Sequence, residues 1–125
     1  MRLLLDTHVL LWWLKDASQL SREARAAIAG SAAIVYVSAA SVWEAAIKAA
    51  AGKLRVSGDL PAAIPASGFV ELPVAARHAW RAGALPRHHG DPFDRILVAQ
   101  AAIEELTIVT HDPAFRDYGV PVLPA

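Results

Sequence analysis

Cysteine is absent from the 125 residues. That removes disulfides, thiolate nucleophiles and thiolate metal ligands together. Net charge is absent too, since Lys plus Arg and Asp plus Glu each number 12. The whole chain therefore offers no field to draw in nucleic acid, and any such contact must come from a local basic patch. No apolar run suits a membrane span, because the longest Ala-rich stretch carries Glu44 and Lys48. The N-terminal apolar run is broken by Asp6 and His8, unlike a signal-peptide core. No Gly-rich phosphate loop occurs, which argues against nucleoside triphosphate chemistry. These absences are compatible with a cytoplasmic protein that has no membrane partner.

What is present suits one folded domain over 1–125. Hydrophobic residues make up 55%, and a chain of this length should bury roughly two-thirds of its unfolded surface. Leu3-Leu4-Leu5 running into Asp6 reads as a buried strand of a parallel sheet. Asp6 then falls at the strand's carboxyl end, where open α/β sheets place their ligand crevices. Ile34 to Val37 reads as a second strand, 69–72 as a third and shorter one, and Leu106 to Thr110 as the last strong one. A further short edge strand is expected at Val122-Leu123.

Helices are expected between these strands. One covers 9–14 and is apolar all round, so it should be covered by a second copy of the chain or by a partner protein. A second opens at Ser21 and ends near Gly30. A third is capped by Ser38 or Ser41 and stops at Gly52. A short one follows Asp59, another spans Val74 to Gly83, and the longest opens at Asp91-Pro92 and runs to about Glu105. Strands alternating with helices imply a three-layer α/β/α fold, with a central, mostly parallel sheet and helices on both faces.

Asp6, Glu44, Asp94 and Asp112 each follow an apolar element or sit in the first turns of a helix. Each also has an ordinary structural explanation. Asp6 could cap the helix starting at His8. Glu44 could complete a capping box with Ser41 or pair with Lys48 along the helix. Asp91 is a natural cap before Pro92, Asp94 then gains from the helix dipole, and Asp112-Pro113 is a common turn opening. Those explanations treat each acid separately. They do not explain why all fall at the same end of successive βα units, where the topology makes them converge. Converging carboxylates repel and should have raised folded-state pKa values, and a hard cation such as Mg²⁺ or Mn²⁺ relieves that cost.

The sequence resembles PIN-domain nucleases, in particular VapC-type toxins of toxin–antitoxin modules. The resemblance rests on 3–8 (Leu-Leu-Leu-Asp-Thr-His), on 37–44 ending in Trp43-Glu44 with Lys48, on Asp91-Pro92-Phe93-Asp94-Arg95-Ile96-Leu97-Val98-Ala99-Gln100-Ala101, and on Ile108-Val109-Thr110-His111-Asp112. These pieces span nearly the whole chain. The resemblance implies a metal-dependent single-strand ribonuclease that pairs with a small antitoxin and forms a homodimer. It places Asp6, Glu44, Asp94 and Asp112 at the acidic positions, with Thr7, Ser38 and Ser41 as supporting polar groups and Asp91 as a cap or outer acid.

The chemistry fits the residues. A bound divalent ion lowers the pKa of its water and can clamp the oxygens of an in-line displacement. Asp6 and Asp94 are expected to bind it directly, with Glu44 and Asp112 holding a second ion or acting through water. Arg77, His78, Arg81, Arg87, His88, His89 and Arg95 make 77–95 locally basic. Arg87, His88, His89 and Arg95 are its candidates for RNA phosphates, against the plainer reading of a solvated face. His8 and His111 flank expected ligands. Trp12 and Trp13 cannot both face one core, so one could meet a partner. Two other functions compete: a non-catalytic protein-binding module whose acids only cap helices, and a phosphatase using Asp6 as nucleophile. The second normally wants an acid two residues on, where this chain has His8.

Overall fold

The computed structural model describes residues 1–88 and 90–125. Its sheet is all parallel, and its order places the N-terminal strand in the middle. The strands are β1 (Arg2–Leu5), β2 (Ile34–Ser38), β3 (Val70–Leu72), β4 (Thr107–Thr110) and β5 (Val122–Pro124), arranged β3-β2-β1-β4-β5. Leu3, Leu4 and Leu5 are fully buried because a central parallel strand is covered on both faces. Each contributes about 1.5–3 kcal/mol by leaving water. The third strand expected at 69–72 and the edge strand expected at 122–123 are present as β3 and β5, both short, partly exposed and at the sheet's edges.

The pleat sorts the core into two layers. Leu3 and Leu5 of β1, Val35 and Val37 of β2 and Val109 of β4 share one face. They pack against α1 (Thr7–Leu14), α2 (Arg22–Ala29), α3 (Ala39–Ala50) and α4 (Leu60–Ala66), through Val9, Leu10, Ala24, Ile28, Ala45, Leu60 and Ile64. Leu4 and Ile108 point the other way. They meet Leu97, Val98 and Ala101 of α6 (Pro92–Glu104), together with Phe115 of a 3-10 turn at Pro113–Tyr118. The remaining helix, α5 (Ala76–Ala84), packs along α6. The chain steps outward from β1 to β3 on one face and returns to β4 on the other. This is the outcome that right-handed crossovers require.

Short polar side chains set where the helices begin. Ser21 accepts from the Ala24 amide, Ser38 from Ala40, Asp59 from Ala62 and Asp91 from Phe93. Ser38, not Ser41, caps α3, so the Ser41–Glu44 capping box does not form: Ser41 lies inside the helix. The expectation for 9–14 is also corrected in part. Val9, Leu10 and Leu11 are buried within the chain, and Trp13 packs on Phe69 at 5.8 Å between ring centroids. The large exposed aromatics are instead Trp43, 64% exposed, and Trp80, 85% exposed.

α5 lacks a capping side chain at Ala75, and His78 supplies one from within the helix. The Ala75 amide donates to His78 Nδ1 at 2.9 Å, which leaves Nε2 to donate to Glu104 Oε2 at 2.8 Å. Arg77 donates to the same oxygen at 2.8 Å. His78 is buried, so this contact ties the start of α5 to the end of α6 from inside. His78 and Arg77 hold the Glu104 carboxyl below its ordinary value of 4.5. Such a group stabilises the fold above its unfolded pKa and loses that contribution as pH falls through the folded value. Glu104→Gln should therefore lower the melting temperature by a few degrees at pH 7, and the difference should vanish in acid. Melts of both proteins from pH 3 to 7 check this; a gap that stays constant with pH would contradict it.

Candidate active site

Strand register brings Asp6 to its partner. Leu5 pairs with Val109, so the next residues, Asp6 and Thr110, face each other across β1 and β4. The Asp6 amide donates to Val109 O at 3.0 Å, and the Thr110 hydroxyl donates to Asp6 Oδ2 at 2.7 Å. β1 and β4 are also where the chain's direction of winding reverses, the position at which open α/β sheets form a crevice. A cleft of about 460 Å³ opens there, lined by Asp6, His8, Trp12, Glu44, Lys48, Asp91, Asp94, His111, Asp112 and Pro113.

Three carboxylates in this cleft are almost withdrawn from water: Asp6 at 7% exposure, Glu44 at 3% and Asp94 at 9%. Asp6 occupies the N-cap position of α1, yet its side chain makes no capping hydrogen bond. Glu44 is held on both oxygens. Thr7 Oγ1 donates to Oε1 at 2.7 Å, and Lys48 Nζ donates to Oε2 at 2.7 Å. The helical pairing of Glu44 with Lys48 is thus real, and it lies inside the cleft rather than on a solvated face.

Asp91 and Asp112 line the cleft from its rim and do cap. Asp91 Oδ1 accepts from the Phe93 amide at 2.9 Å and the Asp94 amide at 3.4 Å. Asp112 Oδ1 accepts from the Ala114 amide at 2.9 Å, and its own amide donates to Thr110 Oγ1 at 3.0 Å. Thr110 therefore links Asp6 to Asp112, a role no local sequence pattern announced. Ser38 is buried in its capping bond, and the buried Ser41 hydroxyl has no hydrogen-bond partner among the described residues. His8 and His111 bracket Trp12, with ring centroids 6.4 and 5.9 Å from it.

The basic segment divides. Arg95 donates to the carbonyls of Pro86, Ala82 and Leu85 at 3.0, 2.9 and 2.8 Å, so its guanidinium ties off the end of α5. Arg77 and His78 hold Glu104, as described above. Arg87 and Arg81 are exposed, and the His88 ring packs edge-on against Tyr118 at 5.2 Å. None of Arg87, His88 and Arg95 lines the acidic cleft. His89 lies outside the described residues.

Donor chemistry in the cleft suits a hard divalent cation, since the side chains that converge most deeply offer only carboxylate and hydroxyl oxygen. Of the buried acids there, Glu44 carries the ion pair with Lys48, and Asp6 and Asp94 line the same cleft beside it. Among the described residues, no group of three or more His, Cys, Asp and Glu side chains is already spaced to hold a metal ion. Thr7, Lys48 and Thr110 instead satisfy carboxylate oxygens by hydrogen bonding.

Electrostatics follow from burial more than from repulsion. Burial pushes the Asp6 carboxyl above its ordinary range; the Thr110 hydroxyl, His8 and the Thr7 amide pull it back, and Glu44 adds to the rise. At Asp6 the direction is the expected one, but desolvation rather than crowding is its first cause. The hydrogen bond to Glu44 raises the Lys48 pKa; partial burial opposes this, and the charges of Glu44, Asp91 and Asp94 reinforce it.

A raised folded pKa means that Asp6 supports the fold below its unfolded pKa. That support is lost as pH rises through the folded value. In EDTA, Asp6→Asn should therefore melt a few degrees higher than wild type at pH 7, and the advantage should disappear below about pH 4. Melting curves of the two proteins across that range are the check. An Asn variant that is less stable at pH 7 would mean that the carboxylate is favourably placed even without metal.

The PIN domain family matches residues 3–121. No curated protein matches the chain. Among solved structures it is similar to VapBC2 from Rickettsia felis bound to a promoter DNA fragment, at 14% identity and TM-score 0.75, covering 99% of this chain and 98% of that one. It is similar also to DNA-bound VapBC from Salmonella typhimurium, at 17% identity and TM-score 0.69, with coverage of 99% and 98%. A toxin–antitoxin complex from Klebsiella pneumoniae aligns at 22% identity and TM-score 0.64, covering 96% and 94%. At these identities the structures speak for the fold. The family match spans nearly the whole chain, and with the five-stranded parallel sheet it shows that this protein belongs to the PIN domain family.

Proposed function

We propose that the chain is a single nuclease domain over 1–125, a metal-dependent endoribonuclease acting on single strands. We read it as the toxin of a type II toxin–antitoxin module working in the cytoplasm. One observation carries this reading: Asp6, Glu44 and Asp94, distant in sequence and all nearly dehydrated, line one cleft at the carboxyl ends of β1 and β4. Caps and helix dipoles account for Asp91 and Asp112 but leave this convergence unexplained. Among the described residues no helix is long and apolar enough to cross a membrane.

Asp6 and Asp94 would hold Mg²⁺ or Mn²⁺, with Asp112 reaching it directly or through water. The ion would supply an acidified water and offset charge on the phosphate. Thr110 orients Asp6 and Thr7 orients Glu44, and a cleft carboxylate not bound to the ion would accept the attacking water's proton. His8 and His111, exposed where they line the cleft, would donate to phosphate, and Trp12 between them would offer a surface for a base. RNA cleavage should stop in EDTA, return with Mn²⁺ or Mg²⁺, and fall at least 100-fold in Asp94→Asn. Cleavage at full rate in chelator would remove the mechanism.

Backbone contacts to RNA would fall on Arg87 and its loop, because Arg95 is committed to carbonyls. Arg87→Ala should reduce the salt slope of RNA binding by about 1. An unchanged slope would put the RNA elsewhere.

The similar structure from Klebsiella pneumoniae is a toxin–antitoxin complex, and we extend an antitoxin partner to this chain. A homodimer is also proposed, seated on the apolar face of α3 and α5. Trp43, Val74, Ala79, Ala82, Phe93 and Ile96 line a groove of about 620 Å³ there. Exposed apolar surface of this kind marks interaction sites. Sedimentation should show a dimer that Trp43→Asp converts to monomer. A wild-type protein that is monomeric at tens of micromolar would defeat the dimer.

A further inference from the structure

Lys48 is the one ammonium that lines the acidic cleft among the described residues. It reaches in from α3, one turn after Glu44, and its Nζ meets Glu44 Oε2 at 2.7 Å. The carboxylate it pairs with is 3% exposed, while the lysine side chain keeps 35% of its surface. The lysine thus spans from solvent to the floor of the site. Asp91, the cap of α6, and Asp94, in its first turn, both act electrostatically on the same ammonium. Glu44's other oxygen is taken by Thr7. The cleft is therefore divided by its own hydrogen bonds. Thr110 and Asp6 mark one side, and Lys48 fills the other, against Glu44.

We propose that Lys48 occupies the place of a second cation, so that the cleft takes a single divalent ion, at Asp6 and Asp94. This rests on the metal-dependent reading above and narrows it. A second ion bound by Glu44 would have to displace an ammonium at contact distance from the same carboxylate. Two cations cannot share that oxygen without strong mutual repulsion. A buried carboxylate left unpaired is costly, so Glu44 requires a positive partner whether or not metal is present. Lys48 meets that requirement within the chain. Among the described residues its ammonium is also the positive charge paired with Glu44 that would meet an entering substrate phosphate, which is the function a second ion would otherwise serve.

Calorimetric titration with Mn²⁺ alone, without RNA, tests this. Wild type should bind one ion. Lys48→Met keeps the length of the side chain and is a good helix former, so α3 should persist; circular dichroism confirms that it does. This variant should bind a second Mn²⁺, or bind the first at least tenfold more tightly, since Glu44 is then released to a metal. Lys48→Arg, which keeps the charge, should bind like wild type. In EDTA, Lys48→Met should melt below wild type, and Mn²⁺ should restore the loss. Two ions in wild type, or a Lys48→Met titration no stronger than wild type, would overturn the assignment while leaving metal dependence intact. No Mn²⁺ binding by wild type would remove the metal reading itself, and this inference with it.

Discussion

Burying the Asp6 carboxylate is the constraint on which the arrangement of this protein depends. A charged group withdrawn from water destabilises a fold unless hydrogen bonds or an opposite charge compensate. Here the compensation comes from the strand next to it. β4 pairs with β1 in the register that sets Thr110 against Asp6, and Thr110 in turn takes the Asp112 amide. The same problem recurs at Glu44, whose burial is answered by Thr7 and Lys48. What results is two buried acids, Asp6 answered by a hydroxyl and Glu44 by a hydroxyl and an ammonium.

The positions of these acids follow from topology. β1 enters the middle of the sheet with leucines on both faces, so its end must open between the layers of helices. α3 leaves β2 and α6 enters below it on the other face, which delivers Glu44 and Asp94 to that opening from opposite sides. Two layers of core thus meet at one cleft. Truncating Leu4 would disturb both the α6 layer and the strand that carries Asp6, at about 2–5 kcal/mol for a buried leucine.

Much of this was legible in the chain. The leucine run, the β-branched strands and the Ser, Asp and Pro signals at helix starts are local rules, and Ser21, Asp59 and Asp91 cap as those rules say. Where a local rule offered two answers, tertiary contacts decided. Ser38 took the α3 cap because β2 ends there, which left Ser41 inside. Arg95 looked like part of a basic patch, but α5 ends beside it with three carbonyls that needed a donor. Trp12 and Trp13 belong to an unbroken apolar run, yet the α1 face packs both against the chain. Trp43, in a stretch that reads as ordinary helix, faces outward. The His78–Glu104 contact joins residues 26 apart and has no sequence signature.

The central claim is that Asp6 and Asp94 together bind a divalent ion. Anomalous diffraction at the manganese edge, from crystals equilibrated with Mn²⁺, tests it most directly. A peak is expected at bonding distance from oxygens of both Asp6 and Asp94. Saturating Mn²⁺ with no peak between those two residues, or with ions only at the protein surface, would contradict it.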